Sequence, residues 1–351
     1  MTLLWSHTGP SRRTSAFNPL LQMEEHEDDQ YCFQDGNSSC RKYTLSTSIY
    51  ITLYIFFSLI SAVTVFLNLL VIISISQIRQ VQTPTNLLIL SLALSDLLVG
   101  LIVIPANTVA IMEPCWVLGK YFCALLMFTS FICTSLSLGN LVLMSIDRYV
   151  AVCDPLMYHL KITVTTTMCC LAITWCCSII YNAALIKMSV NVQVPSGCFE
   201  ECYFVEGFVW VNIIDLVISN VVPCSAIIPL NLKIFVVARS QARKVFSATV
   251  SGDKTVQASR SEKKATKTIG IIVFNYILFW NPFTYIFCMF SNYKFASFIS
   301  FLPFINSFIN PIIYAFFYPW FKETAKRILK LNKPILFLFL GVLSNQIKRV
   351  K

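Results

Sequence analysis

Apolar residues along this chain gather into seven long runs separated by polar breaks. The runs are approximately Ile49–Ser76, Thr85–Met112, Lys120–Val152, Thr163–Met188, Gly207–Ala238, Lys267–Ser291 and Ala296–Phe317. A bilayer core takes about 20 apolar residues per helix, so each run is long enough to cross it. The breaks include Gln77-Ile78-Arg79-Gln80, the segment Asp154–Lys161 and the long polar stretch Arg239–Thr266. Lipid offers the backbone no hydrogen bonds, so runs of this length are expected as helices. The pattern predicts an all-α membrane protein, a seven-transmembrane helix bundle with no sizeable soluble domain.

Composition agrees: 56% of the residues are hydrophobic and 13% charged, against about a quarter charged in a soluble domain. Lys and Arg number 27 against 17 Asp and Glu, a net charge of +10. In a membrane protein that excess reports topology before it reports nucleic-acid binding. Arg239, Arg243, Lys244, Lys254, Arg260, Lys263, Lys264 and Lys267 lie between runs five and six, and Lys322, Lys326, Arg327, Lys330 and Lys333 follow run seven. If the helices alternate, these fall on the same side as Arg79 and Lys161, which the positive-inside rule makes cytoplasmic. The acidic cluster Glu24, Glu25, Glu27, Asp28 and Asp29 then faces outward. The expected organisation is an extracellular segment 1–48, a seven-helix bundle 49–317, and a short amphipathic eighth helix with a cytoplasmic tail at 318–351. The expected site is the plasma membrane. Met1–Trp5 lacks the apolar core of a signal peptide. Met23 opens a compact acidic segment, which makes 1–22 a candidate gene-prediction extension. The apolar stretch Ile335–Leu343 is too short to span. Only three His occur (His7, His26 and His159), which argues against a His-rich metal site.

An ionisable group inside a span is costly and marks function by default. Asp96 sits in the middle of run two and Asp215 in run five, and neither reaches water by snorkelling. Asp147-Arg148 closes run three. Run six carries Trp280 and Pro282, and run seven ends Asn310-Pro311-Ile312-Ile313-Tyr314. A proline within a transmembrane helix removes a backbone bond and kinks it.

These residues, in this order, resemble the rhodopsin-class G-protein-coupled receptors over nearly the whole chain. The matching set is Asn68, Leu92, Asp96, Asp147-Arg148-Tyr149, Trp175, Pro223, Trp280, Pro282, and Asn310-Pro311 with Tyr314. The stretches 306–321 and 261–270 further resemble the trace-amine-associated receptors, with the look of a fish olfactory member. The resemblance implies a small-molecule amine ligand, a heterotrimeric G protein of the stimulatory or olfactory type raising cAMP, membrane lipid as surroundings, and neither catalysis nor nucleic-acid binding. It implies no cofactor, except an allosteric sodium ion held by Asp96, Ser137, Asn306, Ser307 and Asn310. It also assigns Arg148 to an inner latch with Asp147 and Glu262, alongside Tyr149 and Tyr314.

Six cysteines fall on the outer side: Cys32, Cys40, Cys115, Cys123, Cys198 and Cys202. That compartment is oxidising, but sequence leaves the connectivity open. The resemblance selects Cys123–Cys202 and Cys40–Cys198. Asn37-Ser38-Ser39 is a glycosylation sequon in the outer segment.

Receptors of this kind hold the ligand ammonium with an Asp in helix three, at the position that is Ser130 here, and a Tyr in helix seven, at the position that is Phe304. Both are missing. Asp215, about two turns before Pro223, offers a replacement, an exchange that some fish members of the family share. Asn212 and Ser219 lie at i−3 and i+4 from it. Thr134, Thr284 and the aromatic row Trp280, Phe283 and Phe287 complete the expected binding set, the row either packing the core or offering cation–π contact. Glu113, Glu200, Glu201 and Glu206 lie at the outer mouth, where a second acid would suit a diamine or polyamine. Asn231, Phe279 and Leu67 depart from the family pattern. The competing readings are a receptor for a non-amine ligand, a signalling-impaired copy, and, from another class, a secondary transporter. Against the transporter stand seven spans without an internal repeat.

Overall fold

The computed structural model describes residues 47–77, 83–113, 118–190, 209–247, 267–276, 278 and 302–330. All the regular structure in these residues is helical. Helix one is Thr47–Gln77 and helix three is Gly119–Cys153. Helix two runs from Pro84 to Met112 through a π-helical turn at Val99–Val103. Helix four is Val164–Val190. Helix five runs from Val209 to Ser247 through a second π-turn at Val217–Val221. The sixth run is helical over residues 267–276, and helix seven is Leu302–Phe317. A terminal amphipathic helix, Pro319–Lys330, follows directly. Among the described residues five helices are long and apolar enough to cross a membrane, and Phe304–Phe317 is a shorter apolar helix.

Local chemistry explains the boundaries. Thr83 caps helix two, its hydroxyl accepting from the Asn86 N–H at 3.3 Å, and Pro84 takes the first turn, where its missing N–H costs nothing. Each π-turn ends two residues before a proline, Pro105 in helix two and Pro223 in helix five. A proline ring clashes with the carbonyl four residues back, and a widened turn makes room for it.

Two helical stretches lie outside the apolar runs. The segment Asp154–Lys161, read as a polar break, contains the helix Pro155–Lys161, opened by Pro155. Helix five continues past Ala238 to Ser247, because Arg239, Gln241, Arg243 and Lys244 are good helix formers although they are not apolar.

Helix two is the most enclosed of the five spans. The main core joins Leu70, Ile73, Leu88, Leu92, Leu141, Met144, Ile272 and Tyr314, and takes in Phe321 and Ile328 of the terminal helix. Ile55, Leu59, Ile173, Ile180, Phe235 and Val236 stay more than half exposed, as a lipid-facing surface requires. Polar ties cross the bundle. Asn68 Nδ2 donates to the Ser307 carbonyl at 3.0 Å, Trp175 Nε1 to Ser91 at 3.0 Å and Asn182 Nδ2 to Ser135 at 3.1 Å.

Candidate functional site

Asp96 is 1% exposed at the centre of helix two. Helix seven satisfies both of its carboxylate oxygens: the Ser307 hydroxyl donates to Oδ1 at 2.7 Å and Asn310 Nδ2 to Oδ2 at 2.9 Å. The helix can do this because Ser307 and Asn310 lie one turn apart on one face, with Pro311 just behind them. Alongside lies a cavity of about 20 Å³ lined by Thr134, Ser137, Asn306, Ser307, Asn310 and Phe304, among others. That is room for one water-sized group. The Asn306 Nδ2 is buried without a hydrogen-bond partner among the described residues. Asp96 itself is not among the residues that line this space, its oxygens being turned to Ser307 and Asn310, but the hydroxyl and amide oxygens that do line it are of the ligand type a small hard cation takes.

At the far end of helix three, Asp147 and Arg148 are 2% and 7% exposed. The Arg148 Nε and Nη2 donate to Asp147 Oδ2 at 2.9 and 2.6 Å. Thr85, at the start of helix two, accepts from Arg148 Nη2 at 2.6 Å and donates to Asp147 Oδ2 at 2.9 Å. Tyr158, in the helix after helix three, donates to Asp147 Oδ1 at 2.9 Å. Burial, and next the charge of Asp147, push the Tyr158 hydroxyl above its usual pKa. The ion pair is therefore fixed from two neighbouring elements. Tyr149 beside it is half-buried, and Tyr314 is fully buried, its hydroxyl unpartnered among the described residues.

Asp215 is half-buried in helix five and turns toward helix four. Its Oδ1 accepts from the Tyr181 hydroxyl at 2.7 Å and from Ser219, one turn on, at 2.9 Å. Asn212 lies in the same helix, one turn before Asp215. Ser130 is half-buried, and its hydroxyl donates to the Leu126 carbonyl of its own helix at 2.9 Å, so it offers no charge. Phe304 packs against Val99, Val103, Ile104 and Cys133 on one side and Phe57 and Met112 on the other. Glu113 ends helix two, and its Oε1 accepts from the Tyr50 and Tyr54 hydroxyls at 2.8 and 2.6 Å.

Residues 67–314 match the family described as 7 transmembrane receptor (rhodopsin family). Trace amine-associated receptor 13c of Danio rerio is 35% identical over 327 residues, covering 89% of this chain and 95% of that one. Trace amine-associated receptor 8c of Rattus norvegicus is 35% identical, covering 86% of this chain and 92% of its own length. Trace amine-associated receptor 6 of Homo sapiens is also 35% identical, covering 85% and 91%. The chain belongs to the trace amine-associated receptors. As a member of that family it is a multi-pass G-protein-coupled receptor of the plasma membrane, not an enzyme, and it works with a small-molecule ligand and a G protein.

In this receptor Cys123 is disulfide-bonded. Cys202, Cys40, Cys198, Asn37, Glu262, Glu200, Glu201, Glu206, Trp280, Phe283, Thr284 and Phe287 lie outside the described residues. Sequence reasoning passed over Tyr181, Thr85, Tyr158, Tyr50 and Tyr54. A tyrosine in or beside an apolar run is unremarkable by itself. The available signal was the need of each nearby carboxylate for hydrogen-bond donors once out of water.

Proposed function

We propose that this chain is an olfactory amine receptor, binding monoamines, diamines or polyamines, in which Asp215 anchors the ligand ammonium. One observation carries the reading. The Asp215 carboxylate takes two neutral hydroxyls on Oδ1 and has no cationic partner among the described residues. Neutral donors reduce the cost of holding a carboxylate away from water without cancelling its charge, so a cation remains welcome. Ser130 supplies no competing acid where amine receptors usually carry one, and Phe304 lacks the hydroxyl of the tyrosine that usually partners it. The names of the relatives, trace amine-associated receptors, support the amine class. Thr134, Asn212, Trp280, Phe283, Thr284 and Phe287 complete the pocket in this reading.

The signal runs to a stimulatory or olfactory G protein and raises cAMP. Arg148, held by Asp147, Thr85 and Tyr158, is the inner latch, with Glu262, which precedes the sixth run in the sequence, as its partner. Such a charge pair contributes little to stability but makes a usable two-state element. Asp96, Ser137, Asn306, Ser307 and Asn310 are the residues that would hold a sodium ion, which supplies a counter-charge for Asp96 when bound. Residues 1–48 are extracellular, with Asn37 glycosylated and Cys40–Cys198 and Cys123–Cys202 bridging the outer surface. Residues 318–351 are cytoplasmic.

The test is a cAMP assay in cells expressing the receptor, screening mono-, di- and polyamines against wild type and Asp215→Ala at matched surface expression. Wild type should respond to at least one amine and Asp215→Ala to none. A response of Asp215→Ala within a few-fold of wild type would place the anchor elsewhere. Agonist responses confined to non-amines would replace the amine reading.

A further inference from the structure

Helix five has a weak point in its inner half. Pro229 lies inside the helix, without a widened turn just ahead of it such as the one that precedes Pro223. A proline has no N–H, so Pro229 cannot donate to the Ser225 carbonyl one turn back, and its ring crowds that carbonyl. Helices bend at such positions. From Pro229 the helix runs on to Ser247, about 27 Å further along its axis. A bend of about 10° at Pro229 therefore carries the Ser247 end about 5 Å sideways. That end holds Arg239, Arg243 and Lys244, at the end of the bundle where Arg148 lies.

A side-chain tie fixes this segment to its neighbour. Asn231, two residues past Pro229, donates through Nδ2 to the Ser145 hydroxyl of helix three at 3.0 Å and to the Ile227 carbonyl of its own helix at 2.9 Å. Ser145 is fully buried, and its hydroxyl donates to the Leu141 carbonyl at 2.8 Å, which leaves the oxygen free to accept from helix five. Ile227 and Ile234, both buried, lie on the same side of helix five, one turn before and one turn after Asn231. The amide is thus set in an apolar contact between the two helices. A hydrogen bond in such surroundings is stronger than one exposed to water. Ser145 comes one turn before Arg148 on helix three.

We propose that Asn231 is a positioning residue for signalling: its bond to Ser145 pins the inner half of helix five against helix three in the resting receptor, and Pro229 is the hinge about which that half swings when the pin opens. The inference needs only that the chain is a G-protein-coupled receptor. It does not depend on which ligand binds, on Asp215, or on which G protein is engaged. Asn231 is one of the residues that depart from the family pattern, so the device belongs to this chain. Its two parts act against each other: the proline makes the helix pliable, and the amide restrains it one turn from Arg148. One hydrogen bond of this kind shifts a two-state ratio about two- to tenfold. That is enough to set basal activity, and little enough for a bound ligand to overcome.

The experiment uses the full-length receptor in lipid nanodiscs, without ligand, and reads nucleotide exchange on a panel of purified heterotrimeric G proteins spanning the known classes. Asn231→Leu keeps the volume and loses the amide, and Ser145→Ala loses the acceptor. Each should raise agonist-independent exchange about two- to tenfold on the heterotrimer that responds. The double variant should do no more than either single one, because both remove the same bond. Pro229→Ala restores the backbone donor and stiffens the helix, so in that background Asn231→Leu should raise exchange by about half as much or less. A tie that merely holds the fold together gives a different result: a lower melting temperature, no rise in basal exchange, and no dependence on the proline. Basal exchange that stays flat in both single variants overturns the pin, and so do additive effects in the double variant. Equal increments with and without Pro229 overturn the hinge and with it the proposal. Ser145→Ala, which deletes a single buried oxygen, decides the question by itself if Asn231→Leu does not fold.

Discussion

Removing the Tyr181 hydroxyl separates two roles that a hydrogen-bonded tyrosine can play at the proposed anchoring carboxylate. Asp215 Oδ1 accepts from Tyr181 at 2.7 Å and from Ser219 at 2.9 Å, and Oδ2 has no partner among the described residues. If the hydroxyls orient the carboxylate, Tyr181→Phe leaves the side chain to be ordered again by each arriving amine. Ordering one side chain costs about 0.5–1.5 kcal/mol, roughly a two- to tenfold loss of affinity. If instead the tyrosine competes with the ligand for charge, its removal strengthens binding. Crowding of both donors onto Oδ1 favours orientation, since the other oxygen stays available to an ammonium. Asp215→Ala should be far worse, because loss of one member of a desolvated charge pair costs about 2–5 kcal/mol, at least roughly thirtyfold. Ser219→Ala should move in the same direction as Tyr181→Phe but less, its bond being longer and within one helix. The assay is amine affinity of purified receptor, measured by thermal stabilisation across a concentration series. Tighter binding by Tyr181→Phe would refute the orienting role. A loss as deep as that of Asp215→Ala would mean that the tyrosine contacts the ligand itself.

Four further outcomes are expected. Tyr158→Phe removes the donor to Asp147 Oδ1 at 2.9 Å, and should raise agonist-independent nucleotide exchange on the G protein about two- to fivefold, as expected for a hydrogen bond of about 0.5–1 kcal/mol; unchanged or lower basal exchange would count against the latch. Because the Tyr158 pKa is raised, its contribution is complete below the ordinary tyrosine value of about 10 and is lost only as pH rises beyond it, so basal exchange should not change through this group between pH 6 and 8, as roughly bounded by that value. Gly100→Ala would set a Cβ 2.9 Å from Val65 Cγ2 and 3.1 Å from the Val65 backbone nitrogen, and should cost about 1–3 kcal/mol of stability, read as a lower melting temperature; wild-type stability would show that helices one and two can separate freely there. Cys40→Ser and Cys198→Ser should each reduce surface expression, with the double variant no worse than either single one; additive losses would show that the two do not pair.

What the sequence made legible was whatever differs sharply from lipid. Apolar runs place the described helices to within a few residues at most ends, because a helix in a bilayer must be apolar along its length. Asp96 and Asp215 stood out as charges inside such runs. The inner helix Pro155–Lys161 and the extension of helix five to Ser247 did not, because both lie in polar sequence, where apolarity no longer tracks helicity. The π-turns were equally silent: Pro105 and Pro223 signal a disturbance, but a wide turn, a kink and a broken helix all answer a proline. The hydroxyl partners were hidden for another reason. Tyr181 comes from a different helix than Asp215, and Tyr50 and Tyr54 lie far along the chain from Glu113. Only the packing of helices one on two and four on five makes them neighbours.

The carboxylates of the bundle fall into two kinds according to what donates to them. Asp96 is held by Ser307 and Asn310, Asp215 by Tyr181 and Ser219, and Glu113 by Tyr50 and Tyr54, all neutral donors. Asp147 is held by Arg148, whose cation lies 2.6 Å away. Neutral hydrogen bonds offset part of the desolvation cost of an anion, yet leave its net charge. In a medium of low dielectric that remaining charge attracts a cation more strongly than it would in water. An arginine at contact distance removes most of that attraction. A mobile cation therefore gains little at Asp147 and more at the other three positions. The same distinction fits the proposed division of labour: a site that must bind and release a ligand needs an anion stabilised but not neutralised, whereas a latch needs its counter-ion covalently tethered to the neighbouring residue.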